Sequence, residues 1–226
     1  AYIAATYGRN DTPETIRRSL TEIIDSYIDD DALPFALACK PYRLAVLTCR
    51  AKHLTASETP WVQKTGFLLG LLANFLHPAL IHLFSERIVF YCGPQPPDFC
   101  LRKAFRGRFF PLGEVNFKPA VTSSGAIPLV VAGIRDIFDA PNGVYRDGGL
   151  IDYHINQDYR TRNGGLTLFF HHQERIIPGW MDKRIGSRRP QDGFLDSVIM
   201  VYPSEDFVAG LPGGRIPDRG DFETFV

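Results

Sequence analysis

The chain has 226 residues, 45% of them hydrophobic and 22% charged, and its 25 basic side chains balance 25 acidic ones. That make-up fits one globular domain and excludes a disordered, collagen-like or disulfide-dense scaffold. Without a net charge there is no electrostatic footprint for nucleic acid.

Taken in chain order, a first helix is predicted over residues 13–28. Asp11 or Thr12 suits its cap, Pro13 its first position and Glu14 its first turn. Ile16, Leu20, Ile23, Ile24, Tyr27 and Ile28 recur on one face at helical spacing. Asp29, Asp30 and Asp31 follow as a solvated loop. Residues 44–48 read as a short buried strand or helical piece, and residues 87–92 as a clearer strand. A helix over residues 116–124 stops at Gly125, and the apolar segment 127–132 follows it. Asp139-Ala-Pro-Asn-Gly143 is a turn, with Pro presetting φ and Asn-Gly tolerating left-handed backbone. Residues 166–170 and 197–202 read as buried strands, and the last thirty residues as a tail lying along the surface. Apolar strands that alternate with helices predict an α/β fold with a largely parallel sheet.

Residues 66–84 form the most apolar stretch. Their number approaches the roughly 20 needed to span a bilayer, but Asn74, His77, Pro78 and His82 interrupt them. Pro78 divides the stretch into two helical pieces. The plain expectation is a core helix, and the functional one is a helix that covers an apolar, lipid-binding groove.

Cys39, Cys49, Cys92 and Cys100 show no Cys-x-x-Cys spacing, so a structural zinc site has no support. Cys92 and Cys100 flank a Pro-rich turn across which they could meet, but the favoured reading is free thiols in a reducing compartment, so a cytoplasmic, membrane-associating chain is expected. Nucleotide-binding glycine loops are absent, and so is Gly-x-Ser-x-Gly. His171 and His172 follow a strand, where neighbours point to opposite faces, so no shared metal and no cofactor are expected. A metal hydrolase built on His171, His172 and Glu174 is the outlying alternative.

Asp147-Gly148-Gly149 follows the short strand Val144-Tyr145-Arg146. Glycines let the backbone approach closely or adopt φ > 0, which would leave the carboxylate at a strand end, where α/β sheets place their sites. Arg146 should face the opposite side and leave Asp147 unneutralised.

Thr122-Ser-Ser-Gly-Ala-Ile-Pro128, followed by Val144-Tyr-Arg-Asp-Gly-Gly-Leu-Ile-Asp152, resembles the C-terminal half of a patatin-like phospholipase domain. The likeness continues more loosely through residues 177–183 and 211–217. The opening Ala1-Tyr-Ile-Ala-Ala-Thr-Tyr-Gly8 is similar to the helix that follows that family's nucleophile elbow. The resemblance implies a three-layer α/β sandwich over residues 1–226 and hydrolysis of lipid acyl esters by a Ser-Asp dyad. Asp147 is then the general base, with Gly148 and Gly149 as binding residues of its turn. The serine elbow and the oxyanion loop are expected upstream of Ala1, and residues 1–226 alone are expected to be inert. Ser123 and Ser124 occupy a structural turn of the pattern and are not read as nucleophiles. A phospholipid or other acyl ester is the implied substrate, with peripheral membrane contact. A non-catalytic lipid-binding or scaffolding relative is the alternative.

Overall fold

The computed structural model describes residues 12–38, 43–160, 164–217 and 221. The helix expected at the opening residues, Asp11 as a cap, and Cys39 lie outside them.

Helix α1 (Pro13–Tyr27) starts at Thr12, whose hydroxyl accepts the Thr15 N–H at 3.2 Å while the Thr15 hydroxyl accepts the Thr12 N–H at 2.8 Å. This reciprocal cap satisfies two otherwise orphaned donors. A short helix α2 (Leu33–Ala38) leads to strand β1 (Ala45–Ala51), helix α3 (Pro60–Leu76) and strand β2 (Ser85–Tyr91). Then come β3 (Gly107–Pro111), α4 (Glu114–Ser124), β4 (Ile134–Arg135) and β5 (Val144–Asp147). Helix α4 ends at Gly125, as its sequence indicates. Beyond β5 lie β6 (Thr167–Phe170), β7 (Val198–Val201) and α5 (Glu205–Ala209).

The fold is mixed α/β. Its five-stranded sheet has the order β3-β2-β1-β5-β4, and only β2 and β3 run parallel, the other three pairings being antiparallel. The expectation of a largely parallel sheet therefore does not hold for this sheet. The apolar runs 45–47 of β1 and 88–91 of β2 lie where both faces of the sheet are covered, and such a run reports two-sided burial, not strand direction.

On one face Val46, Ile88, Phe90 and Tyr145 pack against Phe117 and Ala120 of α4. Cys49, an odd number of residues from Val46, points the other way and meets Phe67 of α3 together with Ile81, Leu150, Ile151 and Met181. Burying these side chains supplies about 1.5–3 kcal/mol for each large aliphatic or aromatic residue. Cys92 and Cys100 are free thiols, and the Cys92 Sγ donates to the Leu37 carbonyl at 2.7 Å.

Strands β6 and β7 form a separate two-stranded parallel ladder. They are not the buried strands their apolar sequence suggests, since Leu168, Phe170, Ile199 and Val201 are exposed. Only one face of this ladder is covered, so alternate residues stay in solvent.

Candidate functional site

Strand β5 lies antiparallel to β1, which sets Asp147 opposite Thr48 at the end of the pairing. The Asp147 N–H donates to the Ala126 carbonyl at 3.1 Å. That bond ties the turn after α4 to the Asp-Gly-Gly segment, two stretches about twenty residues apart in sequence. The Asp147 carboxylate accepts the Gly149 N–H at 2.7 Å and caps the tight turn Gly148–Leu150.

Neither glycine has a left-handed φ. Gly148 is required for a different reason: a Cβ there would lie 2.5 Å from the Leu47 carbonyl oxygen of β1. The close approach, not the dihedral, excludes a side chain, and it presses the acid's turn against the sheet.

Burial raises the Asp147 pKa above the ordinary carboxylate value, partly offset by the Gly149 N–H. Arg146 does not neutralise it. Its guanidinium is fully buried on the other side of the strand and donates to Glu58 Oε1 at 2.7 Å. Among the described residues Asp147 forms no ion pair.

Asp147 opens into a cavity of about 690 Å³ walled by Ile127, Pro128, Leu129, Tyr153, Trp180 and Lys183. Leu129 holds φ +67°, a left-handed conformation that is rare for a bulky side chain. Its N–H is held by Gln63 Oε1 of α3 at 3.2 Å, so α3 braces a strained wall of the cavity. Trp180 and Lys183 also line a second, larger groove of about 940 Å³, whose other wall is Phe67, Leu68, Leu71, Leu72 and Phe75 of α3. The two spaces meet at that shared pair of residues.

Helix α3 is inside out. Its buried residues are Gln63, Gly66, Phe67, Gly70 and Asn74, and its exposed ones include Leu68, Leu72 at 55%, Phe75 at 67% and Leu76 at 78%. Gln63 and Asn74 are satisfied by the Ser57 carbonyl at 2.7 Å and Asp182 Oδ1 at 2.8 Å. The helix ends at His77, and a 3-10 turn Pro78–Leu83 follows, which is the break expected at Pro78. Among the described residues no helix is long and apolar enough to cross a membrane.

No serine lines the Asp147 cavity among the described residues. Ser123 is fully buried and donates to the Ala120 carbonyl at 2.8 Å, so it is unavailable for attack. Cys49 lies 3.4 Å from the Asp147 carbonyl oxygen, but burial pushes its thiol pKa up to about 12 and keeps it protonated.

The histidines correct the sequence argument. Strand β6 ends at Phe170, so strand alternation does not govern His171 and His172, whose rings are 4.5 Å apart. His154, in the segment after Asp147, joins them at 4.2 and 5.4 Å between ring centroids. Glu174 is not part of this group. Tyr153, His154, Trp180 and Lys183 were not singled out as site residues from the sequence. The signal for Trp180 and Lys183 was the Ile-Pro-Gly-Trp-Met-Asp-Lys run that ends at Lys183, an aromatic and a cation beside a Pro-Gly turn.

On the far side of the Asp-Gly-Gly turn, a polar cavity of about 410 Å³ is lined by His82, Arg87, Arg106 and Asp152 among others. Burial, with Arg87, Arg106 and Lys52 adding to it, lowers the His82 pKa to about 4. The unfolded chain, titrating near 6.5, then binds more protons than the folded one between these two values. His82 should cost no stability above about pH 6.5 and a growing amount as pH falls toward 4, reaching on the order of 1–2 kcal/mol after solvent screening. Urea titrations at several pH values check this. His82→Gln should flatten that part of the wild-type slope, and an unchanged slope would refute it.

No family model matches the chain, and neither a curated protein nor a solved structure matches it.

Proposed function

We propose that the protein hydrolyses acyl esters of lipids within a patatin-like three-layer domain, with Asp147 as the general base for a serine nucleophile. The observation that carries this reading is the setting of Asp147. It is a desolvated, unpaired carboxylate at a strand end, opening into a cavity that joins an apolar groove. Desolvation makes a carboxylate a better base at neutral pH, and general-base catalysis supplies about 10²–10⁴-fold. The bond between Asp147 and Ala126 brings together the two segments that resemble the family. The serine, in this reading, belongs to a Gly-x-Ser-x-Gly turn outside residues 1–226. Gly148 and Gly149 shape the turn that presents the base.

Fluorophosphonate labelling with mass-spectrometric mapping, run beside turnover of p-nitrophenyl acyl esters, tests the assignment. Label on a serine of such a turn, with turnover, supports it. Label on a serine within residues 1–226 overturns it.

The exposed leucine face of α3 favours a second reading, a non-catalytic lipid-binding protein of the same fold. Vesicle binding without any ester turnover would select that one. In both readings α3 contacts the lipid. Leu72→Asp should therefore weaken co-sedimentation with anionic vesicles about tenfold or more, since one buried leucine is worth about 1.5–3 kcal/mol. Unchanged co-sedimentation would remove α3 from the lipid contact.

A further inference from the structure

His154, His171 and His172 approach from two separate segments, and one ligand nitrogen from each lies within 4.8 Å of the others. His154 is 8% exposed, and its Nε2 is buried with no hydrogen-bond partner, as is the Nε2 of His171. Buried nitrogens without a partner are costly and call for an explanation.

We propose that these three imidazoles form a binding site for a divalent first-row transition metal ion of the Zn²⁺ class. Imidazole nitrogen suits such ions, and the absence of a carboxylate from the group disfavours Mg²⁺ and Ca²⁺. The Nδ1–H of His171 donates to the Gln173 carbonyl, which leaves its Nε2 lone pair free. This is the outer support that metal-bound histidines characteristically have. His172 is exposed, which gives the ion an entry path and leaves a fourth position for water.

Three features oppose binding, and the first two define what must change. A tetrahedral ion with bonds of about 2.0–2.1 Å holds its nitrogens about 3.3–3.4 Å apart, so nitrogens within 4.8 Å of one another must close by up to about 1.5 Å. His172 stands past the end of β6 and is exposed, so most of the closure falls to its side chain. His154 starts in the opposite tautomer, its Nδ1 accepting the Ile177 N–H at 2.9 Å and its proton on Nε2. As the metal takes Nε2, that proton moves to Nδ1 and the Ile177 N–H is released. Lys183, whose ammonium lies 5.0 Å from the Tyr153 ring centre and whose charge is felt at His154 and His172, keeps the affinity below that of an all-neutral pocket. Once loaded, the ion ties the Tyr153-His154 segment, part of the Asp147 cavity wall, to the end of β6.

Equilibrium dialysis of the full chain against Zn²⁺, with visible absorption of the Co²⁺ form, reads the site directly. One saturable equivalent per chain is expected at micromolar free metal, and the Co²⁺ spectrum should be that of a tetrahedral centre. His171→Gln and His172→Gln should each weaken binding about tenfold or more. His154→Gln removes a backbone hydrogen bond and risks misfolding, so His154 is tested in the wild type by amide exchange of Ile177, which should accelerate on loading. Absence of saturable binding, equal binding by the His171 and His172 variants, or an Ile177 amide unmoved by metal would each overturn the three-histidine site.

Discussion

Asp147→Asn should lower ester hydrolysis by about 10²–10⁴-fold, the range of general-base catalysis, with little change in the urea midpoint. The amide oxygen of Asn can still accept the Gly149 N–H that the carboxylate accepts at 2.7 Å, so the turn survives while the base is lost. Chemistry should suffer far more than binding, with kcat falling and KM nearly constant. In the wild type the acid limb of the rate profile should lie above the ordinary aspartate pKa of about 3.9, because burial raises that of Asp147. Retention of more than about a tenth of the activity would sink the assignment, being well short of the general-base range.

Asp152→Ala should cost about 3–5 kcal/mol of stability, the penalty for leaving a buried charge without its partner. Asp152 accepts from Arg87 Nε at 2.6 Å and from the second guanidinium nitrogen at 2.7 Å, and Gln157 donates to it at 2.8 Å. Arg87 is 8% exposed and lies over the Phe105 ring at 4.3 Å, so little of its lost solvation returns while it keeps this position. Replacing both partners, Arg87→Met with Asp152→Leu, should be much less harmful than Asp152→Ala alone. Equilibrium unfolding in urea distinguishes the two cases. A single variant that loses less than about 1 kcal/mol would show that the pair is solvated in solution.

Local signals in the sequence carried well. The Thr12 cap, Pro13 and the stop at Gly125 bound α1 and α4 because each acts through its own backbone neighbours. The turn at residues 139–143 was also legible, although its left-handed residues are Asp139 and Gly143, not Asn142. Arg146 turned away from Asp147, as strand alternation requires.

Strand direction and burial did not carry, because neither is a local property. The apolar runs of β1 and β2 state only that both faces are covered, by α4 on one side and α3 on the other, and they say nothing of the direction of the neighbouring strands. In α3 the hydrophobic residues outnumber the rest, yet the buried stripe is Gln63, Gly66, Gly70 and Asn74 with Phe67. Those small and amide residues let the helix lie close to the turn before it and hydrogen-bond to its neighbours, and no hydropathy count reports that. At the candidate site Asp147 was visible by its glycines. His154 was not, because its partners are seventeen and eighteen residues away and meet it only once β6 has ended.

The separate β6–β7 ladder has a bearing on the behaviour of concentrated solutions. It has four residues on each side and, among the described residues, only two strands, so each strand keeps one unpaired edge of N–H and C=O groups. The outward Leu168, Phe170, Ile199 and Val201 give that edge an apolar face, and neither strand carries a charged or proline residue to discourage pairing. Chains that meet there can extend the ladder by adding a strand from a neighbour. Among the described residues, self-association through this element is an aggregation route that the fold leaves open.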